Sequence, residues 1–448
     1  MIPRLYLGTM TFAWSQTSSV VDQDVAAQMV ERFLQTNHDP INDHCIDTAR
    51  IYAGGQTEAC LGAVLSKISS DSNSISSNSI SSNSMSSKNG KSRILVGSKA
   101  HPSQEGGLSA LGIRQQLADS FQAMPVLDSK MHEYYLHQPD PSNSLLESLQ
   151  CLDELVQQGA IAAVGMSNYH HLEMERAFQL CQTHNLTPPT VYQGLYNPLN
   201  RAVEKDLLPL LHRNNCAFVA YNPLAAGLLT GKHSHSRSRD DGPATAATIT
   251  RATTATSPDP IQAAPGRFAN NPNYLPRFYT PSNFRAVAVL QAACDRENET
   301  RRHNNSTSTS TSTSTTNNTT AVLTLVEATY QWMLRHSALR PSVDGLLLGA
   351  SSLEQLDQNL QACAVAATAA ASSNDDDNDD NNNNDGVLVE YPALSDDMLQ
   401  AFEEAWQITK ADGVFPYWRS YSSDMPGGES LDQGASYSAA KKQSGTQE

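Results

Sequence analysis

The chain has 448 residues and a formal net charge of -16, and 39% of its residues are hydrophobic. The acidic balance argues against nucleic acid as a partner, and the absence of a long apolar run argues against a membrane span. Seven scattered cysteines without a CxxC pair are typical of reduced thiols, and no hydrophobic leader is evident. We therefore expect a cytoplasmic protein without a metal site.

Four tracts are too polar or too simple in composition to bury much apolar surface. They lie at about 69–92, 233–264, 300–320 and 364–386, and we expect them to be disordered insertions. Residues 1–421 are predicted to form a single domain, with roughly 320 residues outside these tracts, which suits one barrel. Residues 422–448 are small and polar, and we expect them to form a disordered tail.

Short apolar runs alternate with helical patterns along the rest of the chain. The predicted strands lie at 5–8, 45–47, 94–98, 133–136, 162–165, 190–194, 217–221 and 345–348. The predicted helices lie at 24–36, 58–68, 109–123, 145–158, 172–183, 204–212, 284–295, 323–335, 353–363 and 394–409.

This alternation predicts an α/β fold with a parallel sheet, since parallel neighbours need crossover helices. Eight such units can close into a (β/α)8 TIM barrel with long low-complexity loop insertions and a C-terminal helix. The alternative is an open, doubly wound sheet. No G-x-G-x-x-G follows the first strand, so the dinucleotide fingerprint of that alternative is missing.

Nearly every predicted strand is followed by a polar or aromatic side chain, at the end where barrel enzymes carry their catalytic groups. Each one alone has a plainer interpretation, such as a turn cap or a solvated strand end. Together these side chains predict a pocket lined with polar and aromatic groups. They are Asp47, Tyr52, Lys99, His137, Ser167, Asn168, Gln193, Tyr221, Asn222 and 349–352.

Four of these residues suit the reduction of a carbonyl group. Tyr52 is the candidate general acid, although a free phenol has a pKa of about 10. The neighbouring Lys99 ammonium would favour the phenolate and lower that value. Asp47 would keep Lys99 charged and oriented, and His137 could hydrogen-bond the carbonyl oxygen and share in proton delivery.

Because no protein side chain donates hydride, this chemistry implies a nicotinamide cofactor. Tyr221 can stack on a flat ring, and the segment 349–359 runs from a strand into a helix whose N-terminus can bind an anion. Ordinary N-capping is the plainer interpretation of Ser351 and Ser352. The side chains suited to a carboxamide are Ser167, Asn168 and Gln193.

Specific motifs give the chain a resemblance to the aldo-keto reductase family, and within it to the aflatoxin-aldehyde/succinic-semialdehyde reductase branch. They are Gly8-Thr-Met10, Asp47-Thr-Ala with Tyr52, Gln56-Thr-Glu58, Ser98-Lys-Ala100, Tyr135-Leu-His137-Gln-Pro-Asp140, Gly165-Met-Ser-Asn-Tyr169, Pro189-Thr-Val-Tyr-Gln193, and the segments 222–232 and 349–359. The resemblance covers about 5–419, interrupted by the polar tracts.

The resemblance implies an enzyme that reduces aldehydes or ketones with NADPH bound to the barrel, and with Asp47, Tyr52, Lys99 and His137 as a catalytic tetrad. An alternative is a nucleotide-binding regulatory barrel, similar to a channel subunit, with little turnover. A bare scaffold is a further alternative. The cofactor residues that the resemblance implies are Ser167, Asn168, Gln193, Tyr221, Asn222, Pro223, Leu224, Gly227, Leu228, Lys232, Ser351, Gln355, Gln358 and Asn359.

The expected partner is a small-molecule carbonyl substrate, contacted by His137. Relatives in this branch end shortly after an aromatic-Arg pair that can contact an acidic substrate. Tyr417-Trp-Arg419 matches that pair, but this chain continues beyond it. Arg419 is therefore a candidate substrate residue, and Arg267, in a loop that resembles one over the cofactor, is another. Relatives of this branch often form homodimers.

Overall fold

The strands pair side by side in chain order and close into a barrel. In this computed structural model the described residues are 1–15, 19–36, 43–70, 93–232, 275–307, 322–368, 393–432 and 434–435. Every adjacent pair of strands is parallel, and the first strand closes the ring against the eighth, with Gly8 beside Gly349. The predicted (β/α)8 barrel is confirmed.

The strands are β1 Arg4–Gly8, β2 Asp43–Asp47, β3 Arg93–Ala100, β4 Met131–Leu136, β5 Ile161–Ser167, β6 Val191–Leu195, β7 Ala217–Tyr221 and β8 Gly345–Gly349. The α-helices described are α1 Gln23–Leu34, α2 Gln56–Ser70, α3 Ala110–Ala123, α4 Leu145–Gln157, α5 His171–His184, α6 Leu207–Arg213, α7 Leu275–Phe278, α8 Pro281–Thr307, α9 Leu325–Gln331, α10 Leu353–Thr368 and α11 Asp396–Ala411. Within the described residues, no helix is both long and apolar enough to cross a membrane.

Apolar side chains fill the inside of the barrel, and a larger apolar layer lies between the barrel and its helices. Two glycines make room for large rings on the inside. A Cβ on Gly165 would lie 2.4 Å from the Tyr135 ring, and one on Gly345 would lie 2.6 Å from the Tyr6 ring. These rings close the floor of the barrel beneath the strand ends.

Hydroxyl and carboxylate side chains fix where several of the helices begin. Ser109, Ser144 and Ser395 each accept a backbone N–H from the first turn of α3, α4 and α11. Thr324 and Glu327 form a reciprocal capping box at the start of α9. Each such cap contributes about 1 kcal/mol and sets the end of the loop that precedes it.

The structure departs from the predicted element bounds mainly in three places. Helix α8 runs to Thr307 and α10 to Thr368, so each enters a tract that we predicted to be disordered. The helix predicted at 323–335 starts at Leu325 and ends in a wider π-turn at Trp332–His336. The rest of the predicted insertions, 71–92, 233–264, 308–320 and 369–386, lies outside the described residues.

The third departure is at the tail. The sequence predicts disorder from residue 422, and for residues 422–432 this is wrong. Ser422 is buried, and Asp424 forms an ion pair with Arg176 on α5. Composition misses this order because a few specific contacts hold the segment, with little apolar burial of its own.

Candidate active site

A cavity of about 920 Å³ opens at the carboxyl ends of the strands. The ends of β2, β5, β6 and β7 and the loop after β4 all contribute side chains to its wall, as parallel strands in a closed barrel require. Among the predicted catalytic residues, Asp47, Tyr52 and His137 line it. Lys99 lies fully buried.

An ion pair between Lys99 and Asp47 is buried at the base of this cavity. Lys99 Nζ donates to Asp47 Oδ1 at 2.6 Å and to the Thr48 carbonyl at 2.7 Å. Gln193 Nε2 donates to the same carboxylate oxygen at 2.8 Å. Burial lowers the pKa of Lys99, while the Asp47 carboxylate opposes that shift. The pair therefore places a cation at a fixed position under the cavity.

Tyr52 lies above this cation. The ring centroid is 5.3 Å from Lys99 Nζ, and the ring meets the His137 ring edge-on, with centroids 5.8 Å apart. Tyr52 starts a short 3-10 turn in which Ala53 and Gly54 both have left-handed backbone angles. This tight turn directs the half-buried phenol into the cavity rather than away from it.

A buried carboxylate braces the loop that carries Tyr52. Glu58 Oε2 lies 2.6 Å from Arg50 Nη1, and Glu58 Oε1 accepts hydrogen bonds from Ser98 Oγ at 2.6 Å and Ser120 Oγ at 2.8 Å. The sequence interpretation used Glu58 only as a family motif. Its bracing contacts join residues 40 and 62 positions apart, which local patterns do not reveal.

His137 has an uncharged imidazole in this environment. Burial lowers its pKa well below the ordinary value, and the charges of Lys99 and Arg419 add to the effect. Its Nδ1 has no hydrogen-bond partner among the described residues. The His101 ring meets it edge-on at 5.0 Å between centroids, and burial lowers the pKa of His101 to about 4. The site thus holds two neutral imidazoles beside one buried ammonium.

Sequence reasoning missed His101, which also lines the cavity. It lies two positions after Lys99, and alternate residues of a strand share a face. The spacing of two residues between Lys99 and His101 could therefore have indicated from the sequence that both face the barrel interior.

Two of the side chains predicted to hold a carboxamide, Ser167 and Asn168, are hydrogen-bonded to each other and to the backbone of His137, a predicted catalytic residue. Asn168 Nδ2 donates to the His137 carbonyl and to Ser167 Oγ, each at 2.9 Å. Tyr221 OH donates to Asn168 Oδ1 at 2.8 Å. Asn168 has a left-handed backbone, which asparagine tolerates better than most residues. The ends of β5 and β7 are thereby held together across the cavity wall.

The segment after β7 follows the cavity wall as a turn with successive left-handed residues. Leu228 differs from its predicted neighbours, because its side chain is buried in the hydrophobic core and does not line the cavity. The predicted cofactor residues of this segment that do line it are Asn222, Pro223, Leu224, Gly227 and Lys232.

The N-terminus of α10 forms another part of the wall. Ser352 Oγ accepts the Gln355 N–H at 3.2 Å, so the plainer interpretation of Ser352 as an N-cap holds. Gln355 Oε1 in turn accepts from the N–H and the hydroxyl of Ser351, each at 3.0 Å. Ser351, Gln355, Gln358 and Asn359 all line the cavity.

Comparisons with known proteins identify the family. The profile described as "Aldo/keto reductase family" matches residues 4–373. The chain belongs to this family. It is 30% identical over 364 residues to aflatoxin B1 aldehyde reductase member 2 of Rattus norvegicus, covering 80% of both chains. It is 29% identical over 346 residues to human aldo-keto reductase family 7 member A3, covering 76% of this chain and 84% of that one.

A fungal relative is more distant but is covered almost completely. The chain is 24% identical over 384 residues to an aldo-keto reductase of Pseudocercospora fijiensis, covering 84% of this chain and 97% of that one. Family membership makes this chain an oxidoreductase of the carbonyl-reducing type, and the predicted family is confirmed.

The two arginines predicted to meet the substrate differ in outcome. Arg419 lines the cavity and is 8% exposed, with its backbone N–H donating to the Asn168 carbonyl at 3.0 Å. Arg267 lies outside the described residues. The sequence interpretation missed Arg277, which also lines the cavity and has its guanidinium 4.4 Å from the centroid of the Phe415 ring. It lies between the polar tract that ends at about residue 264 and the helix predicted from residue 284, where no predicted strand end or motif marks it.

Proposed function

We propose that this protein is an NADPH-dependent reductase that converts aldehydes or ketones to alcohols, with Tyr52 as the proton donor. The observation that carries the proposal is the buried Lys99–Asp47 ion pair, whose ammonium lies 5.3 Å from the Tyr52 ring centroid. His137 faces the same phenol. A cation, a phenol and a neutral imidazole around one cavity suit proton delivery to a carbonyl oxygen.

The residues present fit a nicotinamide dinucleotide. The cavity of about 920 Å³ lies at the upper end of the range for small-molecule sites. Ser167, Asn168 and Gln193 offer hydroxyl and amide groups near the catalytic residues, where they would hold a carboxamide. Lys232 and the α10 N-terminus lie on the same cavity wall and would receive the phosphates. NADPH would supply the hydride when bound.

The chain's own residues account for the proton. The Tyr52 hydroxyl donates its proton to the substrate oxygen, which leaves negative charge on the phenolate. The Lys99 ammonium stabilises that charge, and the Asp47 carboxylate holds the ammonium in place. The neutral His137 ring has one N–H donor, and it orients the carbonyl oxygen toward Tyr52 without adding a second cation.

The far end of the substrate is proposed to carry a negative charge. Arg419 is buried in the cavity wall, and its charge acts on both His137 and His101. A guanidinium binds a carboxylate through paired hydrogen bonds. Short carbonyl compounds with a terminal carboxylate are therefore the substrate class that this site favours.

Turnover of para-nitrobenzaldehyde, measured as the loss of NADPH absorbance, tests the proposed chemistry. Tyr52→Phe removes only the proton donor, so we expect turnover to fall by about a hundredfold or more while NADPH affinity stays within about twofold. Full activity in that variant would refute the role of Tyr52. Tight nucleotide binding with negligible turnover in the unaltered protein would instead favour the regulatory barrel.

A further inference from the structure

Beyond Arg419 the chain continues as a segment that packs on the mouth of the barrel. Residues 420–432 and 434–435 are here called the C-terminal strap. The Ser423 N–H donates to the carbonyls of Asp140 and Asn143, each at 3.2 Å, in the loop between β4 and α4. The Ser422 N–H donates to Glu173 Oε1 on α5 at 2.8 Å. The strap therefore joins the loop between β4 and α4 to the first turn of α5.

Asp424 is the main anchor of the strap. Its carboxylate accepts the Leu145 N–H at 2.9 Å and the Ser144 hydroxyl at 2.7 Å, at the N-terminus of α4. It also forms a two-point ion pair with Arg176 on α5, at 2.8 and 3.3 Å. Partial burial opposes ionisation, but the hydrogen bonds from Arg176 and Leu145 lower the pKa of Asp424 to about 2. One charged side chain thus pins the strap to two helices.

The far end of the strap folds back on the residues that flank Arg419. The Ala435 N–H donates to the Trp418 carbonyl at 2.9 Å, and Trp418 Nε1 donates to the Asp432 carbonyl at 3.3 Å. The packing against Arg419 is direct, because a Cβ on Gly434 would lie 2.0 Å from the Arg419 carbonyl oxygen. The backbone of Arg419 is therefore enclosed by the strap on one side.

On its other side, the same backbone is tied to the network that surrounds His137. The Arg419 N–H donates to the Asn168 carbonyl, and the Asn168 side chain donates to the His137 carbonyl. The guanidinium reaches the cavity wall. Restraint of the Arg419 backbone limits the positions that its guanidinium can sample, so less freedom is lost when it binds an anion.

We propose that Asp424 is a positioning residue, which through the C-terminal strap holds Arg419 ready for a carboxylate on the carbonyl substrate. This inference rests on the proposed function. It differs from a purely stabilising role in one respect. A positioning strap affects binding of the charged end of the substrate, whereas a general support affects every substrate and the cofactor alike.

The test compares two aromatic aldehydes of similar shape, para-carboxybenzaldehyde and para-nitrobenzaldehyde, at saturating NADPH. For Asp424→Ala we expect the KM of the carboxylate substrate to rise about tenfold, since an ion pair that is no longer preorganised loses about that factor. We expect the KM of the nitro substrate and both kcat values to stay within about twofold. Asp397→Ala, which removes the exposed ion pair with Arg296, is the matched control.

A milder variant keeps the test valid if Asp424→Ala does not fold. Asp424→Asn retains an oxygen that can accept the Leu145 N–H but loses the charge that pairs with Arg176, so we expect a smaller rise of about threefold in the same KM. Equal increases in both KM values, a parallel loss of NADPH affinity, or an unchanged carboxylate KM would each overturn the proposal.

Arg419→Met separates this inference from the proposed function. If Arg419→Met raises the carboxylate KM and Asp424→Ala does not, the strap is not a positioning element, while Arg419 keeps its substrate role. If Arg419→Met changes neither KM, both the anionic substrate end and the strap inference fail. Neither result bears on the proton donor, which Tyr52→Phe tests alone.

Discussion

Replacing Glu173 with glutamine should remove a pH-dependent loss of stability. Glu173 is fully buried in the first turn of α5, where Oε1 accepts the Ser422 N–H at 2.8 Å. Its Oε2 has no hydrogen-bond partner among the described residues. Burial raises the pKa of Glu173 to about 7, more than the hydrogen bonds from Ser422 lower it. The folded state therefore favours the protonated acid.

The sign and size of the effect follow from that shift. A carboxyl that binds its proton more tightly in the folded state contributes stability that is complete below its unfolded pKa of 4.5 and is lost as the pH rises through about 7. The difference between these pKa values corresponds to about 3 kcal/mol. Glutamine resembles the protonated acid but does not titrate, so the variant should keep its stability across this range.

Urea unfolding at about pH 5 and about pH 8 measures the effect through the free energy of unfolding. We expect the unaltered protein to lose about 2.5 kcal/mol more than Glu173→Gln between these two conditions, somewhat less than the full difference because pH 5 lies above the unfolded pKa. Glu175→Gln, at an exposed position on the same helix, should behave like the unaltered protein. Parallel pH dependence in the unaltered protein and Glu173→Gln would refute the reasoning.

Two further predictions concern the proposed catalytic residues Lys99 and His137. Lys99→Met leaves the Asp47 carboxylate buried without its cation, so urea unfolding should show that the free energy of unfolding falls by about 3–5 kcal/mol. We also expect kcat to fall by about a hundredfold or more. An unchanged free energy of unfolding in this variant would contradict the buried ion pair. Because burial keeps the pKa of His137 well below its ordinary value, kcat/KM measured from about pH 8 down to about pH 6 should show no step from this imidazole. A step that disappears in His137→Asn would show that the ring titrates in that range.

Strand-end reasoning brought the proposed catalytic residues together because barrel geometry leaves little freedom there. The carboxyl ends of parallel strands share one rim, so Asp47 and Lys99 meet although they are 52 residues apart in the sequence. Loop residues follow no such rule. Leu228 lies among residues that line the cavity, yet the left-handed turn at 225–227 directs its side chain into the core.

A residue type suited to binding often has a structural role as well, and sequence alone does not separate the two. Gln193 suits a carboxamide, but in the structure its amide donates to Asp47 and supports the ion pair. Ser352 suits an anion site, but its hydroxyl caps α10. Both roles use the same hydrogen-bonding groups, so only the position of the partner atom distinguishes them.

The C-terminal strap shows why composition failed at the end of the chain. Low hydrophobicity indicates that a segment cannot fold by burying its own apolar surface, and the strap consists mostly of small and polar residues. Asp424 instead uses an existing helix N-terminus and the cation of Arg176, and these partners lie about 280 and 248 residues earlier in the sequence. The barrel must already be folded for this anchor to exist. The strap is therefore ordered by the surface on which it lies. Residues of that surface, such as Ser144 and Arg176, supply contacts that the composition of the tail does not reveal.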